Sequence, residues 1–434
     1  MLAPYFAPQA AVGAYRSVKL ARNLPAEGFR PIVLAGTFPD DARDEALLSA
    51  LPPEVVVRDT YVSATLASAR RALTKLASGR AAHPTHARGP ARPQRGMDPF
   101  HAPVDRYALH ALHAYREAVA LGRAHHVELV YASLGPYSAG EVALRTARRL
   151  EVPLVLDLRD PWSLHETGAG IDHESSLVRA QAALVRRVEA RYLEHADHVV
   201  LNTEQALAAY RLAYPELRGR SSCIRNHFDL GLYRDAPIDG PEPGKLRIMH
   251  FGTLRADAPI DDLARALRCL IDRASLTPAD VELVQVGRVG AYERGVIERL
   301  ALAPFFHARP AVRYVDALST LRSAHVLVVL STSAIRLRIP AKSYDYAASG
   351  MPVLAIGDNP EFDDILLARP DSARVASGNV ERIADVLTRH LAVARATRAL
   401  PTPIDPPRDH SAPQAASRLA AIFSGVLQIP RERA

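Results

Sequence analysis

The chain has 434 residues, 48% of them apolar, so at roughly 100–200 residues per domain it can build two domains or more, each with its own core. Its only cysteines, Cys223 and Cys269, exclude a disulfide framework and a zinc site and fit a reducing cytoplasm. No apolar run approaches the ~20 residues that span a bilayer, the opening MLAPYFAP lacks the basic-then-apolar order of a secretory leader, and the net charge of +7 points to a polyanionic partner such as phosphate, nucleic acid or an anionic membrane.

Strands are predicted at 31–36 (PIVLAG), 127–133 (VELVYAS), 153–158 (PLVLDL) and 198–202 (HVVLN), with helices at 15–24, 107–124, 140–150, 176–195 and 203–213. The Pro- and Gly-rich stretch PIDGPEPGK (237–245) then reads as a linker. Strands recur at 246–252 (LRIMHFG), 281–287 (VELVQVG), 312–315 (VRYV), 325–331 (HVLVVLS) and 352–357 (PVLAIG), with helices at 259–273, 315–323, 340–349, 380–398 and 412–427. Several of these strands are apolar throughout, as strands buried on both faces of a parallel sheet are. Strand–helix alternation that occurs twice predicts an α/β protein of two Rossmann-like domains facing across a cleft. The expected limits are 1–235 and 246–405, joined by 236–245, with 406–434 a helix packing back towards the N-terminal domain. Ligands of such sheets bind outside the carboxyl ends of the strands.

The stretch 61–97 stands apart. It contains Arg70, Arg71, Lys75, Arg80, Arg88, Arg92 and Arg95 but no acidic residue, and ends in a Pro/Gly/His/Arg run without periodicity. It reads either as a solvated, mobile loop or as an arm for anionic lipid or a phosphate-bearing acceptor, each basic group near such a surface contributing ~1 kcal/mol.

The most informative segment is RIPAKSYDYAASGMPVLAIG (338–357). Pro340 can start a helix, Gly350 can end it with Pro352 beyond, and PVLAI is a buried strand. Lys342 and Asp345 share one helical face. A lysine there can supply a point charge to phosphates and a carboxylate can accept from ribose hydroxyls. The same spacing also makes an ordinary surface ion pair, worth a few tenths of a kcal/mol, roughly.

This segment resembles the donor-site signature "iPxKxxEYxaxGxPVLa" of the large retaining glycosyltransferase family with the GT-B fold, in the branch that builds capsule, lipopolysaccharide and exopolysaccharide. Asp345 stands where that pattern has the ribose-holding Glu, and Leu337 where the first Glu of the usual Glu-x7-Glu pair would be. The opening PYFAPQAAVGAYRSVKLARNLPAEGFRPIVLAG (4–36) resembles the family's first strand, glycine loop and helix, with Gly13 and Arg16 matching. YASLGPYSAGEVALRTARRLEVPLVLDLRDPW (131–162) resembles "pPxsxxxxaxxlaxxxgxPxvxDxRDpW", with Asp157, Arg159, Asp160 and Trp162 in or after the strand end. CIRNHFD (223–229) is similar to "vixNGfD" with His227 for the glycine, and HFGTLRADAPIDDLARAL (250–267) to "yxGxLxxxkxxxxLxxAl" with Ala258 for the basic residue. QVGRVGAY (285–292) is similar to the family's "xxGxG" strand end.

The resemblance implies a nucleoside-diphosphate sugar donor held in the C-terminal domain, and a saccharide or lipid-linked acceptor in the N-terminal one. Donor contacts would come from Gly13, Gly252, Thr253, Arg255, Arg288, Lys342 and Asp345, acceptor contacts from Arg16, Asp157 and Trp162, and catalysis from Asp160, Arg159 and Lys342. Arg16 can equally be a helix-surface residue, and Asp157 half of an Arg–Asp pair bracing the loop. Further expectations are retention of configuration, no metal, no cofactor, no nucleic-acid partner and a cytoplasmic protein at the inner face of the membrane. A sugar-nucleotide 2-epimerase and a non-catalytic nucleotide-sugar-binding protein are the alternatives; the YFAP…GAYR and DLRDPW segments favour a transferase. No GxxxxGK[ST], HExxH, CxxC or GxSxG occurs, and His110, His113, His125 and His126 read as a solvated helix face rather than a metal site.

Deleting residues 78–96 is expected to leave transfer to a short soluble acceptor nearly intact while weakening co-sedimentation with anionic vesicles, and added salt should mimic the deletion. Loss of the native circular dichroism spectrum on deletion would instead make the segment structural.

Overall fold

The computed structural model describes residues 1–37, 42–61, 105, 107–164, 176–254, 259–331 and 336–429. Arg255, Ala258 and nearly all of the basic 61–97 stretch therefore lie outside the described residues. The chain divides into two compact units, residues 1–225 with 415–434, and residues 226–414.

In the first unit the described strands are β1 (Leu2–Ala3), β2 (Ile32–Thr37), β3 (Val56–Tyr61), β4 (Val130–Leu134), β5 (Leu154–Leu158), β6 (His198–Leu201) and β7 (Ser221–Cys223). They form one sheet in the order β3-β2-β1-β4-β5-β6-β7, and every neighbouring pair is parallel. The chain leaves β1 towards β2 and leaves β4 towards β5, so the direction of winding reverses between β1 and β4. The Ala139–Leu150 helix joins β4 to β5. It buries Val142, Ala143 and Ala147 on the sheet and turns Glu141 and Arg145 outward as an i,i+4 pair. The last helix, Ala412–Gln428, repeats apolar residues at helical spacing; Ala416, Leu419, Ala420 and Phe423 bury against Leu20, Leu24, Val155, Val200 and Ile224. The Phe423 ring meets Phe29 and Tyr131 edge-on, at 5.3 and 5.8 Å.

In the second unit the described strands are β8 (Leu246–Phe251), β9 (Val281–Val286), β10 (Phe306–Arg309), β11 (Val326–Leu330), β12 (Val353–Ile356) and β13 (Ala373–Val375). Their order is β10-β9-β8-β11-β12-β13, again parallel throughout, with the reversal between β8 and β11. One face packs on the helices Asp261–Ala274 and Val380–Thr397, whose Leu263, Leu267, Leu270, Ile383 and Leu387 are fully buried. The other packs on the Lys342–Ser349 helix through Tyr344, Tyr346 and Ala347. Each unit is a Rossmann-like parallel α/β domain. Among the described residues no helix is long and apolar enough to cross a membrane.

Two expectations need correction. The strand expected at 312–315 is not one: the edge strand is Phe306–Arg309, and Tyr314–Asp316 is a single 3-10 turn that buries Tyr314. The helix expected from 340 begins at Lys342. Its C-terminus does fall at Gly350, in the left-handed region with φ of 67°.

A Cβ on Gly350 would lie 2.1 Å from the Ile404 carbonyl oxygen, whereas one on Gly28, with φ of 83°, would meet nothing within 4 Å. Gly28→Ala therefore tests backbone strain alone and is expected to cost about 1–2 kcal/mol. Gly350→Ala adds displacement of the Ile404 segment, and should lower the thermal midpoint clearly more than Gly28→Ala does. Equal midpoints would mean the 404 segment yields freely.

Candidate active site

Parallel sheets expose backbone N–H groups and helix N-termini at the carboxyl ends of their strands, and the crevice lies where the winding reverses. Each unit has such a switch point, and each is crossed by one cation.

In the first unit that cation is Arg159, which follows β5. Its Nε donates to the Leu134 carbonyl at 2.9 Å, Nη1 to Gly13 at 2.5 Å and Nη2 to Gly135 at 2.5 Å. Gly13 opens the helix after β1 and Gly135 follows β4, so one guanidinium staples both sides of the reversal. Both glycines are needed for it: a Cβ on Gly13 would stand 2.4 Å from Nη1 and one on Gly135 2.6 Å from Nη2. The guanidinium also sits 5.8 Å from the Tyr5 ring centroid, a cation–π distance, and its backbone oxygen accepts from the Asn202 amide. Asp160, beside it, is half-buried; among the described residues no donor is recorded to its carboxylate.

Arg16 and Asp157 lie beneath this loop. Arg16 is no helix-surface residue: it is 5% exposed and Asp157 is 0% exposed. Nε and Nη2 of Arg16 donate to the two Asp157 oxygens at 2.7 and 3.0 Å. Nη2 and Nη1 also donate to the carbonyls of Ile224 at 2.9 Å and Arg225 at 3.0 Å, and the Tyr131 hydroxyl donates to Asp157 as well. Burial works against the charge on Arg16, but the attraction and hydrogen bonds of Asp157 more than offset it and the pKa is raised. Trp162 is likewise internal, at 2% exposure. Its ring is stacked on Tyr137 at 4.6 Å and on Tyr192 at 6.1 Å, and its backbone N–H donates to the Tyr210 hydroxyl. Tyr210 and Tyr214 donate to Glu189, whose pKa is raised by burial.

In the second unit the crossing cation is Lys342, at the first residue of the helix after β11. Its Nζ lies 2.7 Å from His250 Nε2 on β8, and 3.6 Å from where a Gly252 Cβ would be. His250 Nδ1 lies 2.6 Å from Gln285 Oε1 on β9, and Gln285 Nε2 donates to the Gly252 carbonyl at 2.6 Å and to Val286 at 3.2 Å. Burial first, then the Lys342 charge, push the His250 pKa well below its ordinary value. Gly252 and Gly287 end β8 and β9 at φ of 102° and 118°, and a Cβ on Gly287 would lie 2.8 Å from the Gly252 oxygen; the two strand ends meet as bare backbone. Thr253 and Arg288 follow these glycines and are exposed. The buried Ser331 hydroxyl, at the end of β11, has no hydrogen-bond partner among the described residues.

Asp345 points elsewhere from Lys342's histidine. Its Oδ1 accepts from the Tyr233 and Tyr314 hydroxyls, both at 2.6 Å, and these hydroxyls are 3.0 Å apart. Burial and the Asp345 charge raise both tyrosine pKa values. His227 is buried, and the following Phe228 pairs through its backbone with Ser411.

The sequence motifs named the segments but missed His250, Gln285, Tyr233 and Tyr314. A signal existed for the first two. Each is a polar residue directly after an apolar pair, Ile248–Met249 or Leu283–Val284, each lies two positions before a strand-end glycine, and β8 and β9 place them directly opposite each other.

A cavity of about 300 Å³ lies at the other, amino-terminal edge of the first sheet, lined by Met1, Phe29 and Phe423 among others, away from that sheet's switch point. Among the described residues no three His, Cys, Asp or Glu side chains gather where they could hold a metal ion.

No protein-family model matches the chain, and no curated protein matches it in sequence. Solved structures do match its fold. The HepE protein of Anabaena, solved with UDP and glucose, has a TM-score of 0.58 at 15% identity over 96% of this chain and 97% of its own. A UDP-forming trehalose-phosphate synthase from Burkholderia xenovorans, solved with glucose-6-phosphate, has 0.56 at 13% identity, over 99% and 98%. A putative UDP-N-acetylglucosamine 2-epimerase from Listeria monocytogenes has 0.53 at 13% identity, over 95% and 93%. The fold is therefore that of the GT-B proteins.

Removing one partner of a buried ion pair leaves the other charge uncompensated, at a cost of about 3–5 kcal/mol. Arg16→Met should therefore lower the urea midpoint strongly, and Asp157→Asn in the same chain should restore part of the loss. A midpoint unchanged by Arg16→Met would show that the pair is dispensable.

Proposed function

We propose that the protein is a glycosyltransferase that moves a sugar from a nucleoside-diphosphate sugar, held at the carboxyl edge of the second sheet, to a hydroxyl of a saccharide or lipid-linked acceptor. The observation that carries this reading is the contrast between the two switch points. In the first, the guanidinium of Arg159 is engaged by three carbonyls and braces the loop. In the second, the Lys342 ammonium meets a neutral ring nitrogen, His250 Nε2, beside Gly252, at the N-terminus of its own helix. Backbone N–H groups and a lysine at such a place suit a diphosphate. The HepE neighbour's UDP and glucose supply a precedent on this fold.

The roles divide accordingly. Lys342, with Gly252, Thr253 and Arg288 around it, meets the diphosphate. Asp345, oriented by Tyr233 and Tyr314, serves the ribose. Asp160 is the acidic group offered to the reacting sugar or acceptor, while Arg159, Arg16, Asp157 and Trp162 set the loop that carries it. In the reaction the bond from the anomeric carbon to the diphosphate oxygen breaks and the acceptor oxygen bonds to the same face. The acceptor proton passes to the departing phosphate oxygen. The leaving group gains negative charge as this happens, and a preorganised cation such as Lys342 stabilises that charge by ~2.7–4 kcal/mol. Retention and independence of metal follow from the motif resemblance, and the basic 61–97 stretch supports a place at the inner face of the membrane. Epimerisation of a nucleotide sugar would use no acceptor, and the DLRDPW and GAYR segments favour transfer.

Lys342→Ala should lower kcat by more than it raises donor KM, whereas Asp345→Ala should raise donor KM with kcat less affected, the mark of lost uniform binding. Nucleoside diphosphate release that rises with acceptor supports transfer; release independent of any acceptor, or wild-type nucleotide affinity in both variants by calorimetry, would remove the assignment.

A further inference from the structure

Behind Lys342 stand two buried polar side chains, His250 and Gln285, that the proposed reaction does not use. We propose that His250 is a positioning residue, the neutral acceptor that fixes the Lys342 ammonium over Gly252 for a diphosphate ligand. This rests on the placement of the donor in the second unit.

The argument begins at Gln285. Its amide nitrogen faces two carbonyls, Gly252 at 2.6 Å and Val286 at 3.2 Å. Carbonyls only accept, so the nitrogen end belongs there and the oxygen end faces His250 Nδ1 at 2.6 Å. That oxygen can only accept, so Nδ1 carries the proton. A neutral imidazole protonated at Nδ1 presents a lone pair at Nε2, and Lys342 Nζ, which only donates, lies 2.7 Å from it. Each of these contacts thus joins a donor to an acceptor; reversing the amide breaks three of them and reversing the ring tautomer breaks two. His250 is 1% exposed and Gln285 0%, so water does not compete for these positions. Its low pKa, from burial and from Lys342, keeps the ring in the neutral form this arrangement needs.

The consequence is electrostatic. A lysine held by a carboxylate is positioned at the cost of having its charge cancelled by that contact. A lysine held by a neutral ring nitrogen is positioned while that contact leaves the charge intact. The link also crosses the reversal, since His250 lies on β8 and Lys342 on the helix that follows β11. A second tie from that helix, the Tyr346 hydroxyl accepting from the Phe251 N–H at 2.9 Å, holds the same two elements together.

Two polar substitutions separate this role from general packing. In His250→Asn the side-chain amide can still donate to Gln285 but reaches no further, so the contact to Lys342 is lost. In His250→Gln an oxygen can stand close to where Nε2 stood. The probe is UDP, with uridine as the uncharged control, titrated calorimetrically into the full chain. His250→Asn is expected to weaken UDP about tenfold, equivalent to about 1.4 kcal/mol, to leave uridine unchanged, and to be largely rescued in His250→Gln. On a Lys342→Ala background His250→Asn should cost nothing more, because a residue acting only through another is silent once that other is gone. Equal weakening of UDP and uridine, or a full further loss on the Lys342→Ala background, would overturn the proposal. If Lys342→Ala itself leaves UDP affinity unchanged, the donor placement fails. If Lys342→Ala weakens UDP but His250→Asn does not, only the positioning role fails. Should His250→Asn not fold, Gln285→Met, which frees the ring tautomer, is titrated the same way with the same outcomes.

Discussion

The Arg16–Asp157 pair is the constraint around which the first unit is arranged. A guanidinium in the interior must satisfy its donors locally, because an unpaired buried charge costs several kcal/mol, roughly. Arg16 does so through both Asp157 oxygens and the carbonyls of Ile224 and Arg225. These groups come from the first helix, β5 and the chain just beyond β7. With Tyr131 of β4 also donating to Asp157, one ion pair fixes the positions of three strands and a helix. The loop carrying Arg159 and Asp160 starts directly from this anchored strand, which is why Arg159 can reach across to Gly13 and Gly135.

The two units solve the same geometric problem with different cations. A reversal of winding opens a crevice between two strand ends, and something must cross it. Arginine's planar fork suits three fixed carbonyls, and leaves the first crevice structurally committed. Lysine is a compact point charge on a flexible stem and needs an external guide to stand in one place, which in the second unit is a histidine. The glycines follow the same logic: Gly13 and Gly135 make room for a side chain, while Gly252 and Gly287 make room for each other.

Central strands were legible in the sequence because burial on both faces leaves unbroken apolar runs such as VLVVL and VLAI. The strands that escaped detection or were misplaced, β3, β7, β10 and β13, are the edges of their sheets; β10 has two exposed residues between two half-buried ones, so FHAR carries no run to recognise. The very short β1 was obscured for a different reason, since only Leu2–Ala3 pairs as strand. At the site, the motifs located the loops but not the directions of side chains. Arg16 and Trp162 were matched in sequence, yet their burial depends on partners more than 100 and about 30 residues away. Lys342 and Asp345 share a helical face by spacing, but one is drawn to a histidine on β8 and the other to tyrosines at 233 and 314, which no local pattern announces.

The composition of the first unit from both ends of the chain has a consequence for synthesis. Leu20, Leu24, Val155, Val200 and Ile224 are covered by the helix at Ala412–Gln428, which is translated after the whole of the second unit. At roughly 5–20 residues per second, the about 190 residues of 226–414 keep that helix unmade for about 10–40 s. Through that interval the apolar side chains that this helix covers in the finished unit stand open on the nascent chain, where a holding chaperone can bind them.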